Sequence, residues 1–177
     1  MHYPYDARTE RDLFGGRELS ILSQANAVLD LPSAGFYRQL DELYPGSRFL
    51  HTTRERGEWL DAVERHYDSL LADWPARPRR FREFSERITR HVYGAFPFER
   101  DAFAAAYDRH EDGIADYFAS RPGEWLRIDL TRDADNGQIA RFLGLPPAAR
   151  PCSHITDADE LPDDASERTR LRESVPA

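Results

Sequence analysis

Apolar positions along this chain alternate between a strand-like and a helix-like period. Ala27, Val28 and Leu29 form a short apolar run ending at Asp30, Leu31 and Pro32, which predicts a buried strand stopped by proline. Ser33 then stands where a helix N-cap belongs. Phe36, Leu40 and Leu43 recur at helical spacing over residues 34–43, and Tyr44-Pro45-Gly46-Ser47 closes that helix with a turn. Residues 48–53 read as a second short strand. A helix resumes at about Gly57, where Trp59, Val63, Tyr67 and Leu70 share one face. Strand, helix, strand, helix is the order of a parallel α/β sheet.

The rest of the chain is mainly helical. A short helix is expected over residues 9–13. Trp74-Pro75 and Arg77-Pro78 interrupt the middle, and residues 81–93 and 97–120 then read as two amphipathic helices. Arg121-Pro122-Gly123 is a turn and residues 124–130 a further strand. Residues 131–135 cap a last short helix that carries Ile139, Phe142 and Leu143 and ends at Gly144. Beyond Pro146 the sequence is rich in Pro, Asp, Glu and Arg with few apolar anchors. Residues 1–147 are therefore expected to form one α/β domain, and residues 148–177 a loosely packed acidic tail.

Composition narrows the chemistry. All 24 basic residues are arginine, so a phosphate loop built on lysine, a Schiff-base amine and a kinase strand lysine are excluded for this sequence. A GC-rich coding sequence accounts for the wholesale replacement. With 32 acidic residues the net charge is −8, which argues against a nucleic-acid partner. Cys152 is the sole cysteine, which excludes an intrachain disulfide and fits a reducing, cytoplasmic setting. There is no long apolar run, and Met1, His2, Tyr3 and Pro4 do not form a signal-peptide pattern, so no membrane association is expected.

Ligands bind at the carboxyl ends of strands in an open parallel sheet, which directs attention to Asp30 and Arg54. A carboxylate and a guanidinium there could activate a hydroxyl and hold a phosphate or sulfate. The plainer readings are that Asp30 caps the Leu-Pro-Ser turn and that Arg54 pairs with Glu58. The six histidines lack metal-ligand spacing, and His110 reads as a surface or interface residue. Cys152 has no nucleophile's partner, and Arg77, Arg79, Arg80 and Arg82 form a basic stripe that reads as a solvated helix face.

The run from Leu43 to Glu55 (LYPGSRFLHTTRE), followed by Trp59, resembles a segment of sulfotransferases that use 3′-phosphoadenylyl sulfate (PAPS). Further stretches are similar to the bacterial and fungal branch of that family. They include His2-Tyr3-Pro4-Tyr5-Asp6, Asp30-Leu31-Pro32 with Phe36-Tyr37, Tyr107 with His110-Glu111, Leu126-Arg127-Ile128-Asp129-Leu130, and Phe142-Leu143-Gly144-Leu145-Pro146. The resemblance extends to about His154. It implies a P-loop-NTPase-like three-layer α/β fold with a short parallel sheet and a large helical part.

It also implies roles. Arg54 matches the arginine that binds the 3′-phosphate, and Ala62 stands where a serine usually helps it. Asp30 stands where relatives place the general base, and Tyr107 matches an aromatic near the adenine. The implied reaction moves a sulfuryl group from PAPS, without a metal, to a hydroxyl or amine of a small-molecule acceptor. Relatives open with a strand, a Lys-x-Gly-Thr-Thr-Ser-like loop and a helix that wrap the phosphosulfate. That unit is missing from this sequence, and Gly15-Gly16-Arg17 does not replace it. Two further readings stay open: a non-catalytic remnant that serves as a nucleotide-binding or protein-interaction module, with a homodimer as one outcome, and an unrelated α/β domain.

Overall fold

The computed structural model describes residues 7–23, 25–129, 131–132 and 136–146. Strand β1 (Phe49–Thr53) pairs in parallel with β2 (Trp125–Asp129), with Phe49 opposite Trp125 and Thr53 opposite Asp129. Among the described residues the sheet has these two strands, set amid seven α-helices. The long crossover between the strands carries α4 (Arg56–Ala72), α5 (Arg79–Tyr93) and α6 (Arg100–Phe118), as a parallel connection requires. Before β1 come α1 (Ala7–Phe14), α2 (Leu31–Gly35) and α3 (Tyr37–Leu43), and after β2 comes α7 (Asn136–Leu143).

Two apolar clusters hold these elements. Leu13 of α1, Phe36, Leu40 of α3, and Phe84 and Ile88 of α5 form one. Leu60 and Tyr67 of α4 with Phe103 and Ala104 of α6 form the other. Phe118, fully buried at the end of α6, lies 5.0 Å from Phe49 and 6.2 Å from Trp125, so α6 covers one face of the strand pair. Truncating a buried phenylalanine of this kind typically costs about 3–5 kcal/mol.

Three local signals read from the sequence act as expected, and one further glycine acts in the same way. Pro45 and Gly46 (φ 83°) turn the chain before β1, and the Ser47 N–H returns to the Tyr44 carbonyl at 3.2 Å. Gly94 (φ 85°), which the sequence reading did not single out, ends α5 in the left-handed region. At the end of α7, Gly144 (φ 70°) precedes a Leu145 N–H bonded to the Ala140 carbonyl at 2.9 Å. The short helix expected over 9–13 is α1.

Three expectations are corrected. Residues 27–29 do not form a strand: no described segment pairs with them, and an unpaired strand leaves its backbone groups without partners. Ala27 and Leu29 are instead exposed, while Val28 packs on the first apolar cluster. Ser33 is not an N-cap. It lies in the first turn of α2, and its N–H and Oγ donate to the Asp30 carbonyl at 3.0 and 2.7 Å, which leaves Asp30 in the cap position. Residues 34–43 are not one helix. The chain breaks at Phe36 (φ −122°, ψ 19°), whose ring meets Phe14 edge-on at 5.2 Å and stacks on His91 at 4.6 Å. Gly35 permits the close approach of α2 to α5, since a Cβ there would sit 2.6 Å from Val92 Cγ2. The tail over 148–177, residues 2–6, Cys152 and His154 lie outside the described residues.

Candidate functional site

β1 delivers Arg54 from its carboxyl end, and α4 begins two residues later under a cap from Glu55, whose Oε2 accepts the Glu58 N–H at 2.8 Å. Glu55 is thereby committed to the helix. Glu58 is exposed and forms no ion pair with Arg54, which corrects the plainer reading of that arginine. Among the described residues the Arg54 guanidinium has no carboxylate partner. Its neighbours are neutralised: Arg56 pairs with Asp108 at 2.8 Å, Arg127 with Glu111 at 3.0 Å, and Arg132 with Asp129 at 3.8 Å.

Arg54 stands where two clefts meet. One, of about 410 Å³, is walled by Thr53, Arg54, Arg56, Tyr107, Asp129 and Arg132. The other, of about 1100 Å³, runs along β1 and reaches Asp30, Leu50, His51, Tyr107 and His110. Three of the four residues singled out from the sequence, Asp30, Arg54 and Tyr107, thus share one continuous space. Ala62 does not wall either cleft; it is half-buried on α4, beyond the turn that carries Trp59.

Tyr107 does more than pack. From α6 its hydroxyl donates to the Arg54 carbonyl at 2.7 Å, and its ring lies 5.1 Å from Trp59. This fixes the backbone from which the guanidinium projects. Burial raises the phenol's pKa, so the hydroxyl stays a donor.

Asp30 follows a segment that pairs with no described strand, and its backbone is unusual. At φ 84° and ψ −179° it occupies a region that essentially only glycine adopts, at a cost of about 1–3 kcal/mol for another residue. Strain of this kind persists only where the surroundings impose it. Its side chain makes no cap hydrogen bond to α2.

The sequence reading missed a polar cluster on the floor of the larger cleft. His51 points to the buried face of β1, and its Nε2 lies 2.9 Å from Glu111 Oε1 on α6. Glu111 is held in turn by Arg127, whose Nε and Nη2 donate at 3.2 and 3.0 Å. The His110 ring meets His51 edge-on at 5.2 Å, so His110 is a half-buried cleft residue and not a surface one. Burial lowers the His51 pKa to about 4 against the pull of Glu111, and burial lowers His110 as well. One signal was available: Phe49, His51 and Thr53 alternate with exposed Leu50 and Thr52, a period of two that puts His51 inward.

No curated protein matches the chain. Residues 12–161 match the family model described as Sulfotransferase domain, which removes the reading of an unrelated α/β domain. Spanning most of the sequence, from α1 through both strands and beyond α7, that match places the chain in the sulfotransferase family.

Proposed function

We propose that this sulfotransferase-family protein moves a sulfuryl group from PAPS to a hydroxyl or amine of a small molecule. One observation carries the reading. Arg54 is a guanidinium at a strand end, without a carboxylate partner among the described residues, braced through its backbone by Tyr107 and surrounded by arginines that already have partners. A planar, permanently charged fork left unpaired in a polar cleft suits a phosphate dianion. We assign it the 3′-phosphate of the donor. Trp59 and Tyr107 offer aromatic surface beside it for the adenine.

The acceptor reaches the larger cleft, which Asp30 also lines. In the reaction the acceptor oxygen or nitrogen forms a bond to sulfur as the bond from sulfur to the bridging oxygen breaks. Adenosine 3′,5′-bisphosphate leaves with that electron pair. Asp30 takes the acceptor's proton, a role its strained backbone supports, since strain is retained where geometry serves function. The fit to the donor is one-sided within this sequence. Arg54 answers the 3′-phosphate end, whereas the Lys-x-Gly-Thr-Thr-Ser-like loop that answers the phosphosulfate end in relatives has no counterpart here, so no role is assigned at that end.

The net charge of −8 fits a small-molecule acceptor better than a polyanion, and no helix among the described residues is long and apolar enough to cross a membrane. Titration calorimetry with adenosine 3′,5′-bisphosphate tests the reading on the wild type and Arg54→Ala. Binding that collapses in the variant is expected. Binding that is absent, or indifferent to Arg54, overturns it.

A further inference from the structure

His51, which lines the larger cleft, carries a buried polar atom that no group among the described residues uses. His51 is 8% exposed, and its Nε2 is committed to Glu111 Oε1 at 2.9 Å. A carboxylate only accepts, so Nε2 carries the hydrogen, and in a neutral imidazole the lone pair is then on Nδ1. That Nδ1 is buried and has no hydrogen-bond partner among the described residues. Glu111 and Arg127 lock the arrangement, since Arg127 donates twice to the same carboxylate. Trp125 does not supply the missing donor. Its ring stacks on His51 with planes 26° apart and centroids 6.2 Å apart, so an in-plane N–H does not aim at an in-plane lone pair. His110 meets His51 edge-on and is neutral too.

We infer that His51 is a specificity-determining residue for the acceptor, its Nδ1 receiving a hydrogen bond from a second O–H or N–H group on an otherwise apolar molecule. The inference rests on the sulfuryl-transfer reading of this cleft and deepens it. Leaving a buried acceptor unpaired destabilises a fold appreciably, and a substrate lacking a site's expected donor is rejected for the same reason. The apolar requirement comes from the walls: Leu22, Val28, Leu31, Leu50, Ile114 and Leu143 line the same cleft. A base at this position is a weaker idea, because an imidazole titrating near pH 4 gains little from taking a proton at neutral pH, whereas a lone pair that stays unprotonated accepts a hydrogen bond at every working pH. The group that reacts with sulfur is then the other one, facing Asp30.

The test uses the full chain with nitrogen-15-labelled histidine and a series of straight-chain alcohols, propanol to octanol, each compared with its terminal diol. Titrations run with and without adenosine 3′,5′-bisphosphate. The expected result is that at least one diol binds about tenfold more tightly than its matching alcohol and shifts the His51 Nδ1 resonance. In His51→Phe that preference disappears while Arg54-dependent nucleotide binding remains. Should His51→Phe fail to fold, the wild-type resonance still decides. Diols that bind no better than alcohols throughout the series, or that bind better without moving His51 Nδ1, overturn the inference. Loss of nucleotide binding in the wild type instead overturns the sulfotransferase reading, and the nucleotide-free titrations then judge His51 separately.

Discussion

Replacing Asp30 with glycine is expected to make the protein more stable and less active. At φ 84° and ψ −179°, a residue with a Cβ costs about 1–3 kcal/mol that glycine does not. Glycine gives back about 0.5–1 kcal/mol through the extra freedom of the unfolded chain. The hydrogen bonds that close the turn, from Ser33 N–H and Ser33 Oγ, end on the Asp30 carbonyl and survive the change. The net gain is about 1 kcal/mol, or about 3 °C in Tm for a chain of this size. Sulfuryl transfer should meanwhile fall by a factor on the order of a hundred or more as the proton acceptor is lost. Denaturant and thermal unfolding of the wild type, Asp30→Gly and Asp30→Ala measure the first effect. Alanine keeps the Cβ and should show no gain. A glycine variant no more stable than the wild type, or an alanine variant that gains equally, would refute the assignment of strain to this residue.

Arg54→Ala should weaken adenosine 3′,5′-bisphosphate about tenfold to a hundredfold by calorimetry while moving the denaturant midpoint little, because the side chain has no carboxylate partner to lose among the described residues. Ala62→Ser should leave the affinity for the same nucleotide unchanged, because Ala62 walls neither cleft; a gain of about fivefold would bring position 62 into the site. Tyr107→Phe leaves the Arg54 carbonyl without its 2.7 Å donor, so about 1 kcal/mol of stability should go, with a smaller affinity loss than in Arg54→Ala. The stability profile with pH should carry the signature of His51. Above pH 6.5 the imidazole is neutral folded or unfolded, whereas between 6.5 and about 4 only the unfolded chain takes the proton. Stability present above that window is lost as pH falls through it, by up to about 3 kcal/mol, with His110 adding in the same direction. Urea unfolding across that range should show a shallower slope in His51→Phe than in the wild type; coincident slopes count against the buried imidazole.

What could be read in advance was whatever local chemistry decides. Gly46 and Gly144 mark turns that need a left-handed residue, and the apolar spacing of α4, α5 and α6 survives folding because each helix buries the face that the spacing defines. The strand expected at 27–29 failed for a non-local reason. Three apolar residues before a proline look alike whether or not a neighbouring strand exists to pair with them, and pairing is settled elsewhere in the chain. The break at Phe36 was hidden in the same way, since Phe36, Leu40 and Leu43 keep helical spacing across it while Gly35 lets α2 meet Val92. In the site, Arg54 was legible because a strand end is a local address. Its lack of a partner was not, for that depends on Glu55 turning to cap α4 and on Asp108, Glu111 and Asp129 going to other arginines. His51 was overlooked because its significance comes from Glu111, a residue 60 positions later in sequence and 2.9 Å away in space.

The distribution of charge around Arg54 accounts for how an arginine-rich acidic protein could recognise a single phosphate. Were all the guanidinia near the end of β1 unpaired, the cleft would attract polyanions and bind them with steep salt dependence. Pairing Arg56, Arg127 and Arg132 with carboxylates cancels most of that field and leaves one fork uncompensated. One of those pairings has a second consequence. Arg127 holds Glu111, and Glu111 holds His51 in the tautomer that leaves the lone pair on its buried Nδ1, which has no partner among the described residues. The same ion pair that neutralises Arg127 beside Arg54 therefore also sets the polarity of the acceptor side. Glu111→Gln should disturb both ends: Arg127 is freed toward the nucleotide, which weakens discrimination against other polyphosphates, and the His51 tautomer is no longer imposed by a charged acceptor, which erodes the preference for a diol. Two effects from one substitution, at opposite ends of the site, are expected only if Glu111 links them; a change at one end alone would break that link.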